Sequence, residues 1–291
     1  MGDYELNIIL MACINMVAVL GLSVFTGFTG LFSLGHAAFV GIGAYTSGVL
    51  TYHWNVPFGL AIVAGMSASG LSGLLIGIPT LRAKLRSDYF AIAILGFGEA
   101  LRVVLENLSL TNGARGLSVD ELSTPPWIFG TLLLSLAATR NFLRSRFGSA
   151  MIAIREDPIA AEMAGIDLFQ TRLLSLTVSA LLCGLSGALL AHRLAFIQPV
   201  MFTLTQSTLL LATVIAGGMG SISGPVVVSL IFTALPEVLR GLDMWRLPAY
   251  GLILVLIMIF RPQGLLGYRE LSDPFVWAYR RLPFLSKGGN G

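Results

Sequence analysis

The sequence predicts an all-α protein built as a polytopic bundle of transmembrane helices. Hydrophobic residues make up 55% of the 291 residues and charged residues only 11%. Soluble domains carry about 25% charged residues, so this chain could not cover a water-facing surface. The charges are also segregated, because residues 6–81 contain no Asp, Glu, Lys or Arg. Since a helix needs about 20 apolar residues to cross a bilayer, this stretch alone holds several spans.

Four further uncharged stretches extend the same pattern. They cover residues 122–139, 173–192, 194–236 and 247–260. We predict about nine spans (eight to ten), near 6–26, 33–53, 57–80, 89–107, 125–140, 173–193, 205–217, 224–240 and 247–261. Two of these, 205–217 and 247–261, are short for a full crossing, so tilted, broken or re-entrant helices are expected there.

The basic residues predict the orientation, because Lys and Arg concentrate in cytoplasmic loops. They form three clusters: Arg82, Lys84 and Arg86; Arg140, Arg144, Arg146 and Arg155; and Arg261, Arg269, Arg280, Arg281 and Lys287. Alternation through nine spans puts all three clusters on one face and the acidic residues Asp3, Glu5, Asp120, Glu121 and Asp243 on the other. The N-terminus is therefore predicted outside and the C-terminus inside. Residues 1–268 form the membrane domain and 269–291 a cytoplasmic tail.

The most polar inside loop, about residues 141–172, contains the stretch REDPIAAEMAGID at 155–167. Asp157 is a good N-cap, and Pro158 suits the first helical turn. A short helix from Pro158 to about Ala164 would bring Ala160, Ala161 and Ala164 together, with Gly165 ending it. We interpret this small-residue face as a docking surface for another protein. The alternative, an amphipathic helix lying on lipid, would need large apolar anchors and basic residues.

Two glycine-rich stretches share the pattern G-x-x-G-x-x-S, one starting at Gly27 and one at Gly217. Both fall where a predicted span reaches the cytoplasmic side. Transporters place interrupted helices along the substrate path, so Ser33, His36 and residues 217–221 are candidates for that path. Close packing of helices through small residues explains either stretch alone equally well. The match between them also suggests a parallel repeat.

The fourth span carries Glu99, Arg102 and Glu106 on one helical face. Ionisable groups at membrane depth are costly, so these three should pair and should face protein or water. An ion-pair network inside the bundle is the favoured interpretation, with a gating role as the alternative. A proton relay is less favoured, because Arg102 would hold both carboxylates ionised.

Other classes of function have little support. The quartet GLSG occurs at 70–73 and 184–187 and matches the nucleophile motif of intramembrane proteases, but short glycine motifs recur by chance in a chain with 33 glycines. Lys84 and Lys287 are the only lysines and neither lies in a P-loop pattern. The sequence shows no Cys/His cluster for a metal, and Cys13 and Cys183 both lie in predicted spans, where buried thiols are expected.

Five segments together resemble the LivM-type permeases of branched-chain amino acid ABC importers. They are GLFSLGHAAFVGIGAY (30–45), SDYFAIAILGFGEALRVVLENL (87–108), AIREDPIAAEMAGID (153–167), IAGGMGSISGP (215–225) and RPQGLLG (261–267). They follow one another in order across nearly the whole chain. The third is similar to the cytoplasmic segment through which such permeases engage an ATPase.

The resemblance implies a non-catalytic permease subunit in a bacterial inner membrane. It implies a second, LivH-like permease, two cytoplasmic ATPases that bind the ATP and Mg²⁺, and a periplasmic substrate-binding protein; no cofactor is expected in this chain. The residues expected to couple to the ATPase are Arg155, Glu156, Asp157, Ala160, Ala161 and Gly165. Those expected along the path are Ser33, His36, Tyr89, Glu99, Arg102, Gly217, Gly218, Gly220 and Ser221. Importers of urea, short amides or other amino acids remain alternatives, as do an ATPase-independent carrier and an intramembrane enzyme.

Overall fold

The computed structural model describes residues 3–83 and 87–238, together with Gly251, Val255 and Gly264. Within these residues the chain forms ten α-helices: α1 Asp3–Leu22, α2 His36–Trp54, α3 Phe58–Arg82, α4 Ser87–Asn107, α5 Pro125–Leu143, α6 Arg146–Glu156, α7 Pro158–Met163, α8 Leu168–Leu194, α9 Leu204–Gly217 and α10 Ser223–Val238. A π-helical segment, Ser23–Gly27, continues α1. Short 3₁₀ turns at Ser109–Thr111, Gly113–Arg115 and Pro199–Phe202 fill the connections.

A helix lies at each of the first eight predicted spans, as the uncharged stretches indicate. Three of the described helices are long and apolar enough to cross a membrane: Tyr4–Gly27, Phe58–Arg82 and Leu168–Leu194. The ninth predicted span lies outside the described residues except for Gly251 and Val255, and so does the tail 269–291. The number of crossings and their orientation therefore stay predictions. At 14 residues, α9 would be only about 21 Å long, in line with the expectation of a broken or tilted helix.

Helix α8 lies at the centre of the bundle and packs against α1, α2 and α3. Glycines make these contacts close. A Cβ atom on Gly187 of α8 would overlap the carbonyl oxygen of Val40 on α2, and one on Gly43 would overlap the backbone of Gly184. Helices in a bilayer associate through packing of this kind, since lipid is as apolar as the side chains. The small-residue stretches therefore serve helix packing in this part of the chain.

Polar side chains in the core add bonds between helices. The Ser69 hydroxyl oxygen lies 2.7 Å from the carbonyl oxygen of Ala180 and 3.0 Å from that of Phe39. Ser186 donates to the carbonyl of Ile14 over 2.8 Å. Such bonds satisfy hydroxyl groups where no water is available. Cys13 and Cys183 are both buried and free, which confirms the expectation of isolated thiols.

The contacts between helix ends fall into two sets. At one end, Leu117–Ser118 (β1) pairs with Phe196–Ile197 (β2) in an antiparallel two-stranded sheet, and Arg193 forms an ion pair with Glu121 at 2.6 Å. At the other end, Arg155 donates to the carbonyl of Gly27. The alternation of the crossings, and which set faces the cytoplasm, stay predictions. The strand pair is an exception to the all-α prediction, because two-residue strands leave no periodic pattern in a sequence.

Candidate functional site

The predicted docking helix is present as α7, preceded by α6 in the same loop. Asp157 caps it, since its Oδ1 accepts from the backbone N–H groups of Ile159 at 2.8 Å and Ala160 at 3.1 Å. Pro158 occupies the first turn. Gly165 follows at φ +85°, a left-handed conformation that favours glycine. The local structure predicted for this stretch is therefore confirmed.

The faces of α7 differ from the expectation. Ala161 is buried against the chain itself, so the three alanines do not form one exposed face. Large apolar side chains are exposed instead: Ile159 is 75% exposed and Met163 85%. A six-residue helix lying against α6 and α8 must turn one side inward, and the alanine side fits the closer approach. The surface offered to a partner is thus centred on Ile159 and Met163, with Ala160 and Gly165 also exposed.

A groove of about 670 Å³ opens beside α7, between the turn that follows it and the end of α3. Its lining includes Arg82, Glu162, Gly165, Phe169 and Arg172. The guanidinium of Arg82 lies over the Phe169 ring, 5.7 Å from its centroid. The buried Nε of Arg172 has no hydrogen-bond partner among the described residues. The groove therefore combines an apolar floor with two arginines and two acids, Glu162 and Asp167, next to the exposed face of α7.

Arg155, the last basic residue before α7, points into the protein. Its side chain is only 14% exposed, whereas that of Glu156 is 66% exposed. Its Nη1 donates to the carbonyl of Gly27 at 2.9 Å, and its Nη2 lies 2.7 Å from Glu156 Oε1. A Cβ on Gly30 would lie 2.9 Å from the Cγ of Arg155, and Gly30 has φ +74°. Arg155 therefore contacts the end of the first span rather than the surface.

Gly27 and Gly30 belong to a meeting point of several glycines, which we call the glycine junction: Gly27, Gly30, Gly218, Gly220 and Gly264. A Cβ on Gly27 would lie 3.7 Å from the backbone nitrogen of Gly220, and one on Gly264 would overlap the backbone of Gly218. The two G-x-x-G-x-x-S stretches thus meet in space. With Arg155, four of the five segments that carry the family resemblance converge here.

The second glycine stretch is enclosed by its neighbours. Gly217, Gly218 and Ser221 are buried, and Gly220 is partly buried. The Ser221 hydroxyl accepts from the backbone N–H of Gly224 at 2.9 Å, at the start of α10. Ser221 thus satisfies a free N–H group at a helix start. A path role for these residues stays a prediction.

Ser33 and His36 form a buried hydrogen-bonded chain. Ser33 Oγ lies 2.5 Å from His36 Nδ1, and His36 Nε2 lies 2.8 Å from Ser179 Oγ on α8. Phe25 stacks on the imidazole and Phe39 meets it edge-on. Neither Ser33 nor His36 has any exposed surface. In this conformation both tie α2 to α8, and they could reach a path only if the helices moved.

The fourth span, α4, carries the predicted ion-pair network. Arg102 Nε lies 2.9 Å from Glu99 Oε2, and its Nη1 lies 2.5 Å from Glu106 Oε1. The pairing within one helical face is confirmed. The three side chains keep exposures of 39%, 28% and 26% for Glu99, Arg102 and Glu106. They are therefore on the outside of this single chain, not inside its bundle, and they carry two negative charges against one positive.

Other groups accompany this charged face. Glu99 borders a shallow cleft whose lining also includes Gly35, Gly98, Thr203 and Ser207. Tyr89, near the start of the same helix, is exposed. The structure brings Glu99 and Arg102 together, and both side chains are partly exposed on this side of the chain. It does not bring them to Ser33 or His36 through any hydrogen bond in the described residues.

The serines of the two GLSG quartets are engaged with the backbone. Ser72 donates to the carbonyl of Ser69, and Ser186 to that of Ile14. The hydrogen bonds of His36 go to Ser33 and Ser179, and His192 faces the carbonyl of Asp120. Neither serine thus has a histidine beside it among the described residues. This geometry gives the intramembrane protease alternative no support.

Sequence reasoning missed three features of the site. Ser179 was not expected as a partner of His36, because 143 positions separate them and nothing in the local pattern links them. The exposure of Ile159 and Met163 was missed as well. Their i, i+4 spacing on a helix could have shown that they share a face. No feature of the sequence indicated that the side chain of Arg155 points inward.

Comparison with known proteins decides the family. The family model for the branched-chain amino acid transport system permease component matches residues 4–261. The chain belongs to this permease family. It is 32% identical to the high-affinity branched-chain amino acid transport system permease protein LivM of Salmonella typhimurium, over 90% of this chain and 70% of that protein. The LivM protein of Escherichia coli is 33% identical, over 89% and 69%.

The chain is also similar, at lower identity, to proteins named for other cargo. The fructose import permease protein FrcC of Rhizobium meliloti is 24% identical over 72% of this permease and 64% of its own length. No solved structure matches the chain. The resemblance to LivM-type permeases is thus confirmed, and the apolar helices fit an integral membrane protein.

Proposed function

We propose that this chain is the transmembrane permease subunit of an ATP-driven importer of branched-chain amino acids in a bacterial inner membrane. It would act with a second, LivH-like permease, two cytoplasmic ATPases that hold ATP and Mg²⁺, and a periplasmic binding protein that delivers the substrate. The observation that carries this proposal is the identity of about one third to LivM over nearly the whole chain. The fructose permease matches at lower identity over a smaller share, which favours an amino acid cargo.

Uptake in vesicles tests the proposal. The chain, copurified with its partner permease and ATPases, would be reconstituted in proteoliposomes that hold ATP inside, and the binding protein would be added outside. We expect leucine uptake that needs both ATP and the binding protein. Leucine uptake by this chain alone would instead support an ATPase-independent carrier. Competition by urea or acetamide but not by valine would move the assignment to an importer of amides.

The docking surface proposed for the ATPase is the exposed face of α7 with the adjoining groove. Ile159 and Met163 supply apolar area, and Arg82 supplies a cationic rim. Four exposed residues surround this face: Glu156, Asp157, Ala160 and Gly165. Ala161 is buried beneath it. A partner that fills this surface could shift α7 as a unit, because both ends of the helix are capped.

The path is proposed to run along the charged side of α4. Ionised groups exposed at membrane depth would be strongly disfavoured against lipid, so protein or water must cover them. The second permease would provide the protein, and the path between the two subunits would provide the water. A zwitterionic amino acid passing this face would meet a carboxylate for its ammonium group and a guanidinium for its carboxylate. Tyr89 and the cleft beside Glu99 lie along the same helix.

Arg102→Met should reduce leucine uptake severalfold and lower the amount of folded chain, because Glu99 and Glu106 would both lose their partner. The triple variant R102M, E99Q, E106Q removes all three charges and should restore the amount of folded chain. Uptake by the triple variant should stay low if the path uses these charges. Both quantities can be measured in one preparation, as a size-exclusion peak and as uptake per amount of chain. Full recovery of uptake in the triple variant would show that the network is only structural.

A further inference from the structure

We propose that Arg155 is the positioning residue that carries movement of the ATPase-docking helix to the glycine junction at the end of the first span. This rests on the proposed function, since it assumes that an ATPase moves α7. Sequence alone grouped Arg155 with the residues expected to couple to the ATPase, without saying how it would do so. The side chain is 14% exposed and offers little surface to a partner.

The link on one side is short. Arg155 lies in the last turn of α6, two residues before Asp157, whose carboxylate caps α7. Glu156 braces the guanidinium, because Nε and Nη2 of Arg155 lie 3.3 Å and 2.7 Å from the same Glu156 oxygen. A shift of α7 therefore reaches Arg155 through two residues of backbone and one ion pair.

On its other side, Arg155 contacts the end of the first helix. The carbonyl of Gly27 closes the π-helical segment Ser23–Gly27, and the chain leaves the helix at Gly30. Carbonyls at a helix end lack partners within the helix and carry partial negative charge, which suits a guanidinium donor. The aliphatic part of Arg155 fills the space that a side chain on Gly30 would need. Arg155 thus contacts both a carbonyl in the last turn and the exit of the first span.

The segment that Arg155 holds is π-helical, Ser23–Gly27. π-Helical turns are rare and are frequently found at functional sites. The hydroxyls of Ser23 and Thr26 are buried in this turn without a hydrogen-bond partner among the described residues. A change of register in this turn is the rearrangement that we infer, since it would move both hydroxyls. Gly27 also lies beside Gly220, between α9 and α10, so the rearrangement would reach a second break in the bundle.

The competing explanation is that Arg155 only stabilises the end of the first helix. Leucine imported per ATP hydrolysed separates the two explanations. Lysine keeps the charge but cannot donate to Gly27 and hold Glu156 with one planar fork. We therefore expect R155K to preserve folding and assembly while losing transmission. Arg146, exposed at the start of α6, is the matched control, because R146K changes the same residue type in the same loop.

The experiment uses the reconstituted complex with leucine-loaded binding protein. R155K should retain wild-type amounts of chain and of copurified ATPase, and it should still hydrolyse ATP. Leucine imported per ATP hydrolysed should fall roughly tenfold, within the usual range of coupling between sites. R146K should match the wild type on every measure. Unchanged import per ATP in R155K, or loss of the copurified ATPase, would overturn the proposal.

Hydrogen exchange gives a second measurement that does not depend on cargo. On adding a non-hydrolysable ATP analogue, amides of residues 23–30 should change their exchange in the wild type and in R146K but not in R155K. An equal change in all three would reject the link. If the wild-type complex imports no leucine yet shows this exchange response, the substrate assignment fails and the link stands. If no ATPase copurifies with the wild type, the proposed function itself fails.

Discussion

Gly187→Ala is expected to lower the thermal midpoint of the purified chain by roughly 5–10 °C, the effect of about 3 kcal/mol at this size. A Cβ at this position would overlap the carbonyl oxygen of Val40, and the next nearest atoms are also backbone atoms of α2. Backbone cannot rotate aside as a flexible side chain can, so α2 and α8 must separate. The change would be seen by heating detergent-solubilised protein and following the size-exclusion peak.

Gly130→Ala is the matched control. Gly130 also lies within a helix, α5, but it is exposed and a Cβ there would meet no atom within 4 Å. Alanine favours helix over glycine by about 1 kcal/mol, so this variant should be unchanged or slightly more stable. Equal midpoints for the two variants would mean that α2 and α8 do not approach as closely as described.

Much of the fold could be predicted from the sequence, because a bilayer permits few kinds of secondary structure. Uncharged stretches of sufficient length must be helical, since backbone groups have no other partners in lipid. This reasoning located the helices of the first eight predicted spans, α1–α5 and α8–α10. The N-cap at Asp157, with Gly165 as the stop, predicted α7 within one residue. Spacing along one helix likewise predicted that Arg102 would pair with Glu99 and Glu106.

What could not be predicted depends on contacts between distant segments. The pattern of small residues showed that helices pack closely, but not that Gly187 would meet Val40. The pairing of His36 with Ser179 and the contact of Arg155 with Gly27 are of the same kind. Side-chain direction on α7 was missed because the i, i+4 spacing of Ile159 and Met163 shows that they share a face, but not whether that face is the exposed one. Its buried side depends on the packing of α6 and α8.

Combining Ile159→Asp with Met163→Asp is expected to weaken binding of the ATPase by at least about 100-fold. The two residues are four apart on α7, so they share one face, and both are largely exposed. Large apolar side chains grouped on an aqueous loop mark an interaction surface. Burying each is worth about 1.5 kcal/mol or more, and the two together correspond to two factors of ten.

Several measurements on the double variant separate docking from folding. The chain should accumulate normally, because neither side chain packs in the core, while copurified ATPase and leucine uptake are lost. Ser149→Asp is the control, since Ser149 is exposed on α6 in the same loop and should tolerate a carboxylate. If the apolar face of α7 lies on lipid instead, the double variant should keep its ATPase and lose only its affinity for vesicles. Because a helix that inserts in lipid and one that fits a protein cleft bury the same atoms, only the fate of the ATPase distinguishes them.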